Sequence, residues 1–209
     1  MSAVIELEET ISVPQNQTNG SVFSEYRLRV EDYEKMIEYG IFNDDDKIEL
    51  WEGKLVTMSP KGTKHRISNN RAYRSFFKKL EERALLQSQD PIRLNDFSEP
   101  EPDLVAAEPK EDEYLSNHPT PNDVFFVLEV ADTTILRDRE KAKSYARNGI
   151  RQYLILNLNT NEIEDYREPA EDDYRFKRTY TADESFNLVA FPDIEIKVSD
   201  LLPPIETNE

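Results

Sequence analysis

The stretch Val124-Phe-Phe-Val-Leu-Glu-Val-Ala131 decides the fold, because it is an apolar, β-favouring run with a single carboxylate, Glu129, inside it. Such a run is typical of a strand that is buried on both faces in a sheet flanked by helices. A carboxylate buried there costs on the order of several kcal/mol unless it is paired, hydrogen-bonded or bound to a metal. Glu129 therefore either has a partner, such as an arginine, or lies at the strand end where the sheet opens onto a site.

Length and composition indicate one globular domain. A chain of 209 residues, 37% hydrophobic and 33% charged, is long enough to bury a core and is not of the disordered class. Both ends are polar or short of apolar residues. We expect a flexible N-terminal segment over residues 1–24, one domain over residues 25–202, and a flexible tail over residues 203–209.

The charge balance limits the possible partners. The formal net charge is −17, from 43 acidic and 26 basic residues, and this overall field repels nucleic acid and anionic membranes while leaving room for a local basic groove. The absence of cysteine excludes disulfides and thiolate ligands, and two histidines, His65 and His118, argue against a multi-histidine zinc site. With no leader pattern and no apolar run of membrane-spanning length, we expect a cytoplasmic protein without a membrane partner.

The order of predicted elements indicates an α/β or α+β fold, with helices around a central mixed sheet and a β-rich C-terminal part. Apolar spacing and terminal glycines predict helices over residues 29–40, 64–86 (capped by Thr63) and 138–148. A hairpin turning at Gly53 is predicted over residues 48–58. Further strands are predicted over residues 88–94, 103–107, 124–131, 152–158, 162–167, 175–180 and 194–198.

The second predicted helix carries a concentration of positive charge. Residues 54–80 contain eight Lys or Arg residues and no acid, in a chain whose net charge is −17. This basic segment is either a solvated helix face or a surface that contacts phosphates or an acidic partner. Its apolar stripe is predicted to comprise Ile67, Tyr73, Phe76, Phe77, Leu80 and Ala84, with Lys64, Arg71, Arg74 and Lys78 near the opposite side.

Three carboxylates, Glu49, Asp103 and Glu129, lie in or beside predicted strands. Two carboxylates on neighbouring strands repel each other unless a cation lies between them, and Mg²⁺ prefers oxygen ligands while keeping several waters. A metal held in this way leaves positions for a phosphate oxygen and an attacking water. Each residue also has an ordinary structural interpretation, since Asp103 follows a proline turn and Glu49 fits an exposed strand position.

Six motifs follow one another over nearly the whole predicted domain. They are Ile48-Glu-Leu-Trp-Glu-Gly-Lys-Leu-Val56, Met58-Ser-Pro-x-Gly62 with His65, Gln89-Asp-Pro-Ile-Arg-Leu94, Glu99-Pro-x-Pro-Asp-Leu104, Val127-Leu-Glu-Val-Ala-Asp132 and Asp138-Arg-x-Lys-x-x-x-Tyr-Ala-Arg-x-Gly-Ile150. With these motifs, in this order, the sequence resembles the Uma2 family (DUF820), whose members have the restriction-endonuclease-like PD-(D/E)XK fold, are abundant in cyanobacteria, and are described as endonucleases.

The resemblance implies a set of site residues. Asp103 takes the place of the first acid and Glu129 that of the second, while position 131 is alanine where the general nuclease pattern has lysine. The family's lysine lies on the following helix, which implies Lys141, with Lys143 as the alternative. Glu49 and Gln89 match the family's early acid and its glutamine near the site, and His65 is either a possible additional site residue or a helix-cap or surface residue.

The resemblance and the residues together predict a metal-dependent endonuclease that hydrolyses phosphodiester bonds in DNA. Asp103 and Glu129 would bind Mg²⁺ or Mn²⁺, assisted by Glu49, with Lys141 acting on the water or the transition state. Lys61, Lys64 and Arg71 are the nearest candidates for nucleic-acid contact, and a homodimer is expected. The alternatives are a catalytically inactive nuclease-fold protein that binds a partner or nucleic acid, and a regulatory subunit that needs another protein.

Overall fold

The structure is a computed structural model that describes residues 24–43 and 45–204. The ends predicted to be flexible, residues 1–24 and 203–209, lie outside the described residues except for Ser24, Pro203 and Pro204. Three helices and ten strands are described, together with two short 3₁₀ turns, Glu81–Arg83 and Val198–Asp200. In chain order they are α1 Val30–Glu38, β1 Ile48–Trp51, β2 Lys54–Thr57, α2 Thr63–Leu80, β3 Leu85–Gln87, β4 Leu104–Ala107, β5 Val124–Ala131, α3 Ile135–Arg147, β6 Gln152–Asn157, β7 Glu162–Pro169, β8 Tyr174–Thr181, β9 Ser185–Asn187 and β10 Glu195–Lys197.

Six strands form a mixed central sheet in the order β3-β4-β5-β6-β7-β8. Only β5 and β6 are parallel, because α3 returns the chain between them, and the other neighbours are antiparallel. The pairs β1-β2 and β9-β10 form separate two-stranded sheets. The predicted fold class, a mixed sheet flanked by helices with a β-rich C-terminal part, is confirmed.

The central strand β5 is buried on both faces, as its apolar run predicts. On one face its side chains pack against α2 and the C-terminal strands, and on the other they pack against α3. The first cluster includes Ala72, Phe76, Leu80, Phe126, Leu128 and Val130, and the second includes Val127, Ala131, Ala142, Tyr145, Ala146 and Tyr153. Residues 127, 129 and 131 therefore share the α3 face, because side chains alternate along a strand.

The predicted course of α2 is wrong at its C-terminal end. The helix ends at Leu80, because Glu81 has a φ of +50° and breaks the helical backbone. The next residues leave the helix and form β3, which pairs with β4. Thr63 is not the cap, since Gly62 holds that position and no side-chain cap bond forms. Phe77, which was predicted to lie on the apolar stripe, is 58% exposed.

Two other boundaries also differ from the prediction. Residues 88–94 form no strand, since Gln89 has a φ of +60° and Pro91 lacks the amide hydrogen that a ladder needs. The helix predicted over residues 138–148 begins three residues earlier, at Ile135. The remaining strand predictions agree with the structure to within two residues, and the hairpin turns at Gly53, whose φ is +80°. No helix among the described residues combines the length and the apolar character needed to cross a membrane.

Candidate active site

The register of β4 against β5 brings Asp103 beside Glu129. Leu104 pairs with Leu128 in antiparallel register, so the residue before β4 faces the residue that follows Leu128. The backbone N–H of Asp103 donates a hydrogen bond of 3.2 Å to Oε2 of Glu129. Pro102 enters the strand from a segment without a ladder, which leaves the Asp103 side chain at the sheet end. Both carboxylates are 5% exposed.

Three groups contact the Asp103 carboxylate from different parts of the chain. Its Oδ2 lies 2.9 Å from His65 Nε2 and accepts a 2.9 Å bond from the N–H of Val130, while Lys61 Nζ lies 3.1 Å from Oδ1. Burial opposes ionisation, but the hydrogen bond and charge of His65, the charge of Lys61 and the N–H of Val130 hold the pKa of Asp103 below its usual value. Asp103 is therefore a carboxylate at neutral pH.

Lys141 lies between the other two carboxylates. Its Nζ is 3.1 Å from Glu129 Oε1 and 3.0 Å and 3.2 Å from the two oxygens of Glu49. Its ammonium also lies 5.2 Å from the centre of the Trp51 ring. The partner of Glu129 is thus a lysine from α3 and not the arginine considered as one alternative. Glu49 is brought to the site by β1, although it is 92 residues away from Lys141 in sequence.

The electrostatics of this buried group separate the roles of its members. Burial lowers the proton affinity of Lys141, but the carboxylates of Glu129 and Glu49 outweigh it and raise the pKa of Lys141. Burial raises the pKa of Glu129 to about 8, opposed by Lys141 and reinforced by the charges of Asp103, Asp138 and Glu49. The pKa of Glu129 is therefore raised by burial, and the pKa of Lys141 is raised because its ammonium lies against two carboxylates. Lys141 therefore remains a cation in this environment.

The carboxylates open onto a cleft of about 190 Å³ between the sheet end, the start of α2 and the start of α3. Six carboxylates and three Lys or Arg residues line it, so its walls carry an excess of negative charge. This excess favours a cation in the cleft. The acidic lining residues are Glu49, Glu101, Asp103, Glu129, Asp132 and Asp138, and the basic ones are Lys61, Arg137 and Lys141.

The residues present fit a hard divalent cation with two protein carboxylates. Asp103 is held ionised, Glu129 faces the same cleft, and Mg²⁺ commonly takes one or two carboxylates while keeping waters in its other positions. Within residues 24–43 and 45–204 no three His, Asp or Glu side chains are grouped closely enough to hold a metal together. Glu49 is 1% exposed and engaged by Lys141 and by the N–H of Glu101.

Of the other predicted residues, two contact Asp103 and four lie outside the cleft. His65 and Lys61 contact Asp103 directly, as described above. Gln89 is exposed and does not line the cleft, and Lys143 lies on the outer side of α3, 3.5 Å from Glu140. Lys64 and Arg71 lie outside the cleft on α2, where Arg71 donates to the backbone oxygen of Ser199.

Sequence reasoning overlooked two residues of α3 that complete the site. Asp138 is 4% exposed, lines the cleft and accepts a 2.6 Å bond from the hydroxyl of Thr134. The hydroxyl of Tyr145 lies 3.4 Å from Glu129 Oε1. A signal was present, because positions 138, 141 and 145 are spaced by three and four residues and so share one helix face.

Comparisons with known proteins agree with this architecture. A crystal structure from Anabaena variabilis ATCC 29413, described as "a putative nuclease belonging to DUF820", has a TM-score of 0.60 to this chain. The two are 14% identical over 79% of this chain and 96% of that chain, which shows a common fold alone. No curated protein sequence matches the chain. Residues 30–199, which hold all of the described α-helices and strands, match the Uma2 family, described as "Putative restriction endonuclease", and the chain therefore belongs to the Uma2 family.

Proposed function

We propose that this protein is a metal-dependent endonuclease that hydrolyses phosphodiester bonds in DNA. The observation that carries the proposal is the convergence of Asp103, Glu129 and Lys141 from three separate elements in one acidic cleft. Family membership supports a nuclease function in general. The DNA substrate and the metal are proposed from the chemistry of the cleft and from the expected properties of the family.

Asp103 and Glu129 would hold Mg²⁺ or Mn²⁺, with Glu49 reaching the same group of charges through Lys141. The bound metal would supply Lewis acidity to a phosphate oxygen and a lower pKa for an attacking water. His65 and the N–H of Val130 hold the Asp103 carboxylate ionised and oriented towards the cleft. His65 is therefore a positioning residue in this proposal.

Lys141 stabilises negative charge rather than removing a proton. Its pKa is raised by Glu129 and Glu49, so at neutral pH the side chain is an ammonium and not the neutral amine that could accept a proton. A fixed cation beside the cleft can stabilise the negative charge that develops on a phosphoryl group during hydrolysis. Lys61, 31% exposed at the cleft edge, would approach the phosphate backbone of the substrate.

Nicking of supercoiled plasmid with Mg²⁺ or Mn²⁺ tests the proposal. We expect the wild type to nick DNA and Asp103→Asn and Glu129→Gln to lose activity roughly a hundredfold or more, because each replaces a proposed metal-binding carboxyl group by an amide and keeps the side-chain shape. The matched control is Asp183→Asn, which removes an exposed carboxylate from the loop between β8 and β9.

Undiminished nicking by both cleft variants would show that the activity comes from another site or from a contaminant. Nicking by neither the wild type nor the variants, with either metal, would reject the endonuclease assignment. The fold of each variant is checked by circular dichroism, so that loss of structure is not mistaken for loss of chemistry.

A second candidate function is a catalytically inactive nuclease fold that binds nucleic acid or a protein. The observation in its favour is that Lys61, His65 and Lys141 already occupy the carboxylates that a metal would need. Calorimetric titration with Mn²⁺ separates the two functions. A nuclease binds the ion through Asp103 and Glu129, whereas a binding module of this kind shows no heat that depends on those residues.

We further propose that the protein acts as a homodimer, because cutting both strands of a duplex commonly uses two sites. Light scattering coupled to gel filtration tests this directly. A mass near twice the monomer's 24.4 kDa is expected, and a mass near 24.4 kDa at micromolar concentration would contradict it.

A further inference from the structure

The helix α2 carries six Lys or Arg residues whose charge is not neutralised by neighbours. No carboxylate among the described residues lies within 4.0 Å of any of them. Most other cations of the chain form such pairs, for example Arg83 with Asp193 and Arg139 with Glu164. In a protein with a net charge of −17, this is a local positive surface. The six residues are Lys64, Arg66, Arg71, Arg74, Lys78 and Lys79.

Three of these cations lie in one row along α2, where Arg74 and Lys78 are exposed and Arg71 is half-buried, with its guanidinium donating to the backbone oxygen of Ser199. With about 100° per residue, Arg71, Arg74 and Lys78 fall within roughly 60° of each other, opposite the buried Ala72 and Phe76. A shallow, open depression of about 670 Å³ lies beside the row, and Ser75, Lys79 and Asp200 also line it. The row therefore borders an open, mainly basic surface that an extended polyanion can approach.

An aromatic pair lies next to this basic row. The rings of Tyr73 and Phe77 are stacked, with 6.0 Å between their centres and an angle of 10° between their planes. Phe77 is 58% exposed, whereas its neighbour Phe76 is fully buried in the core. Folding does not use the outer surface of the Phe77 ring, so a flat apolar face is presented to solvent beside Arg74.

The row also leads away from the candidate active site. His65, in the first turn of α2, contacts Asp103, and Lys78 lies 13 residues further along the same helix. At 1.5 Å per residue this separation is about 20 Å, which several nucleotides of an extended strand cover. One rigid helix thus connects the cleft with the basic and aromatic surface.

We propose that the outward face of α2 is a binding site for single-stranded nucleic acid. Arg71, Arg74 and Lys78 contact its phosphates, and an unpaired base stacks on Phe77. Cations that follow the backbone, combined with an exposed aromatic ring, are the two features by which proteins hold single strands without reading their sequence. A duplex would meet the cations alone, because its bases are already stacked on each other. An acidic peptide would likewise make no use of the ring.

This inference rests on the proposed function in one respect: the strand bound on α2 would continue into the cleft where cleavage is proposed. Binding is therefore measured without catalysis, by fluorescence anisotropy in EDTA. The probes are a labelled mixed-sequence single-stranded DNA, the matching duplex, and a poly-glutamate of equal charge. We expect the wild type to bind the single strand more tightly than the duplex and to bind poly-glutamate weakest.

Two sets of variants separate the ring from the charges. Phe77→Ala and Phe77→Leu should each weaken single-strand binding about tenfold and leave duplex binding unchanged, since stacking is lost while the charges remain. Arg74→Glu with Lys78→Glu should weaken both DNA probes. The matched control, Arg151→Glu with Arg175→Glu, makes the same charge change at two exposed arginines that have no described acidic partner, and should leave binding unchanged.

The results that overturn the inference differ from those that overturn the endonuclease. Equal loss of duplex and single-strand binding in both Phe77 variants, equal effects of the two charge pairs, or preferential binding of poly-glutamate each reject the proposed site. Single-strand binding by a wild type that never cleaves DNA rejects the endonuclease and leaves this site in place. Cleavage of DNA by a protein whose single-strand binding is unchanged by the α2 substitutions rejects this binding site and leaves the endonuclease in place.

Discussion

The ammonium of Lys141 compensates the buried carboxylates of Glu49 and Glu129 in the cleft. The residue is 5% exposed and is the one lysine among the described residues that lies against both Glu49 and Glu129. Removing one member of a buried ion group leaves the remaining charges without compensation, which costs more than the group's net contribution to stability. The lysine therefore stabilises the fold and, in the proposed mechanism, the transition state.

Replacing Lys141 by methionine is expected to lower the free energy of unfolding by about 3 to 5 kcal/mol at neutral pH. Chemical denaturation with urea measures this change. The matched control is Lys143→Met, two residues along the same helix, which removes an exposed ammonium and should cost no more than about 0.5 kcal/mol. Similar costs for the two variants would show that Lys141 is not held between the carboxylates.

Glu99 offers a test of burial away from the cleft. It is 3% exposed, and no described donor reaches its Oε2. Burial, followed by the charge of Glu34, raises the pKa of Glu99 from 4.5 to about 7. The folded protein therefore holds a proton on Glu99 between these two pH values, where the unfolded chain has released it.

The sign of the resulting pH dependence follows directly. Because the folded-state pKa is raised, the contribution of Glu99 to stability is complete below pH 4.5 and is lost as the pH rises through 7. Glu99→Gln stays neutral, so its stability relative to the wild type should increase by about 2 kcal/mol between pH 4.5 and 8, allowing for solvent screening. Urea denaturation at both pH values measures this, and a constant difference would contradict it.

At the scale of elements, α2 shows how a helix can present two different surfaces. Its buried side contacts β5 through Ala72, Phe76 and Leu80, and at its N-terminal end the buried residue is His65. The polar residues Ser68 and Asn69 also lie on the buried side. The predicted apolar stripe is therefore correct for Phe76 and Leu80 and wrong for Phe77, and it omits the polar residues that are buried where the start of the helix packs against the site.

The neighbouring residues Phe76 and Phe77 test this orientation. Phe76→Ala should lower the free energy of unfolding by about 3 to 5 kcal/mol, because it removes a fully buried ring that lies 4.8 Å from Phe126. Phe77→Ala, at an exposed position of the same helix, should cost about 0.5 kcal/mol or less. Thermal or urea denaturation of both variants measures the contrast. Equal costs would mean that α2 is rotated from the orientation described.

The helix α3 owes its place to the parallel pair β5-β6, which requires a crossover between the two strands. The crossover begins at the C-terminal end of β5, close to Glu129, and so its inner face turns Asp138, Lys141 and Tyr145 towards that carboxylate. This placement brings a lysine from the helix against the carboxylate of the strand.

Over the whole molecule, acidic residues are concentrated in the cleft and basic residues on α2. The net charge of −17 and the six carboxylates of the cleft both favour uptake of divalent cations. A ligand that binds only the folded state stabilises it in proportion to the logarithm of its concentration above Kd.

Mn²⁺ at about one hundred times its Kd should therefore raise the Tm of the wild type by about 5 °C or more. Asp103→Asn should abolish most of this shift, because it removes the carboxylate held ionised in the cleft. Differential scanning fluorimetry measures it, with NaCl of equal ionic strength as the control for general screening. An equal rise in the variant would place the metal elsewhere on the acidic surface.

Much of the site was accessible from the sequence through particular residues. Glu129 is predicted because a carboxylate has no folding role within an apolar strand, and Asp103 and Glu49 are predicted because they lie in or beside strands. Lys141 is predicted from the resemblance to the Uma2 family, which also supports the three acids. The end of α2 and the absence of a strand over residues 88–94 were not accessible. Both depend on single residues with positive φ, Glu81 and Gln89, which local propensity does not indicate.

Local sequence patterns are enough to predict the central strand, the mixed sheet with its helices and the need of Glu129 for a partner, because alternation and apolar runs are local properties of the chain. The identity of that partner comes from the three-dimensional fold. Glu129 meets Lys141, Asp103 and, through the lysine, Glu49, from elements up to 92 residues apart. These contacts follow from the register of β4 on β5 and the crossover of α3. Strand pairing is non-local, so no window of sequence contains it.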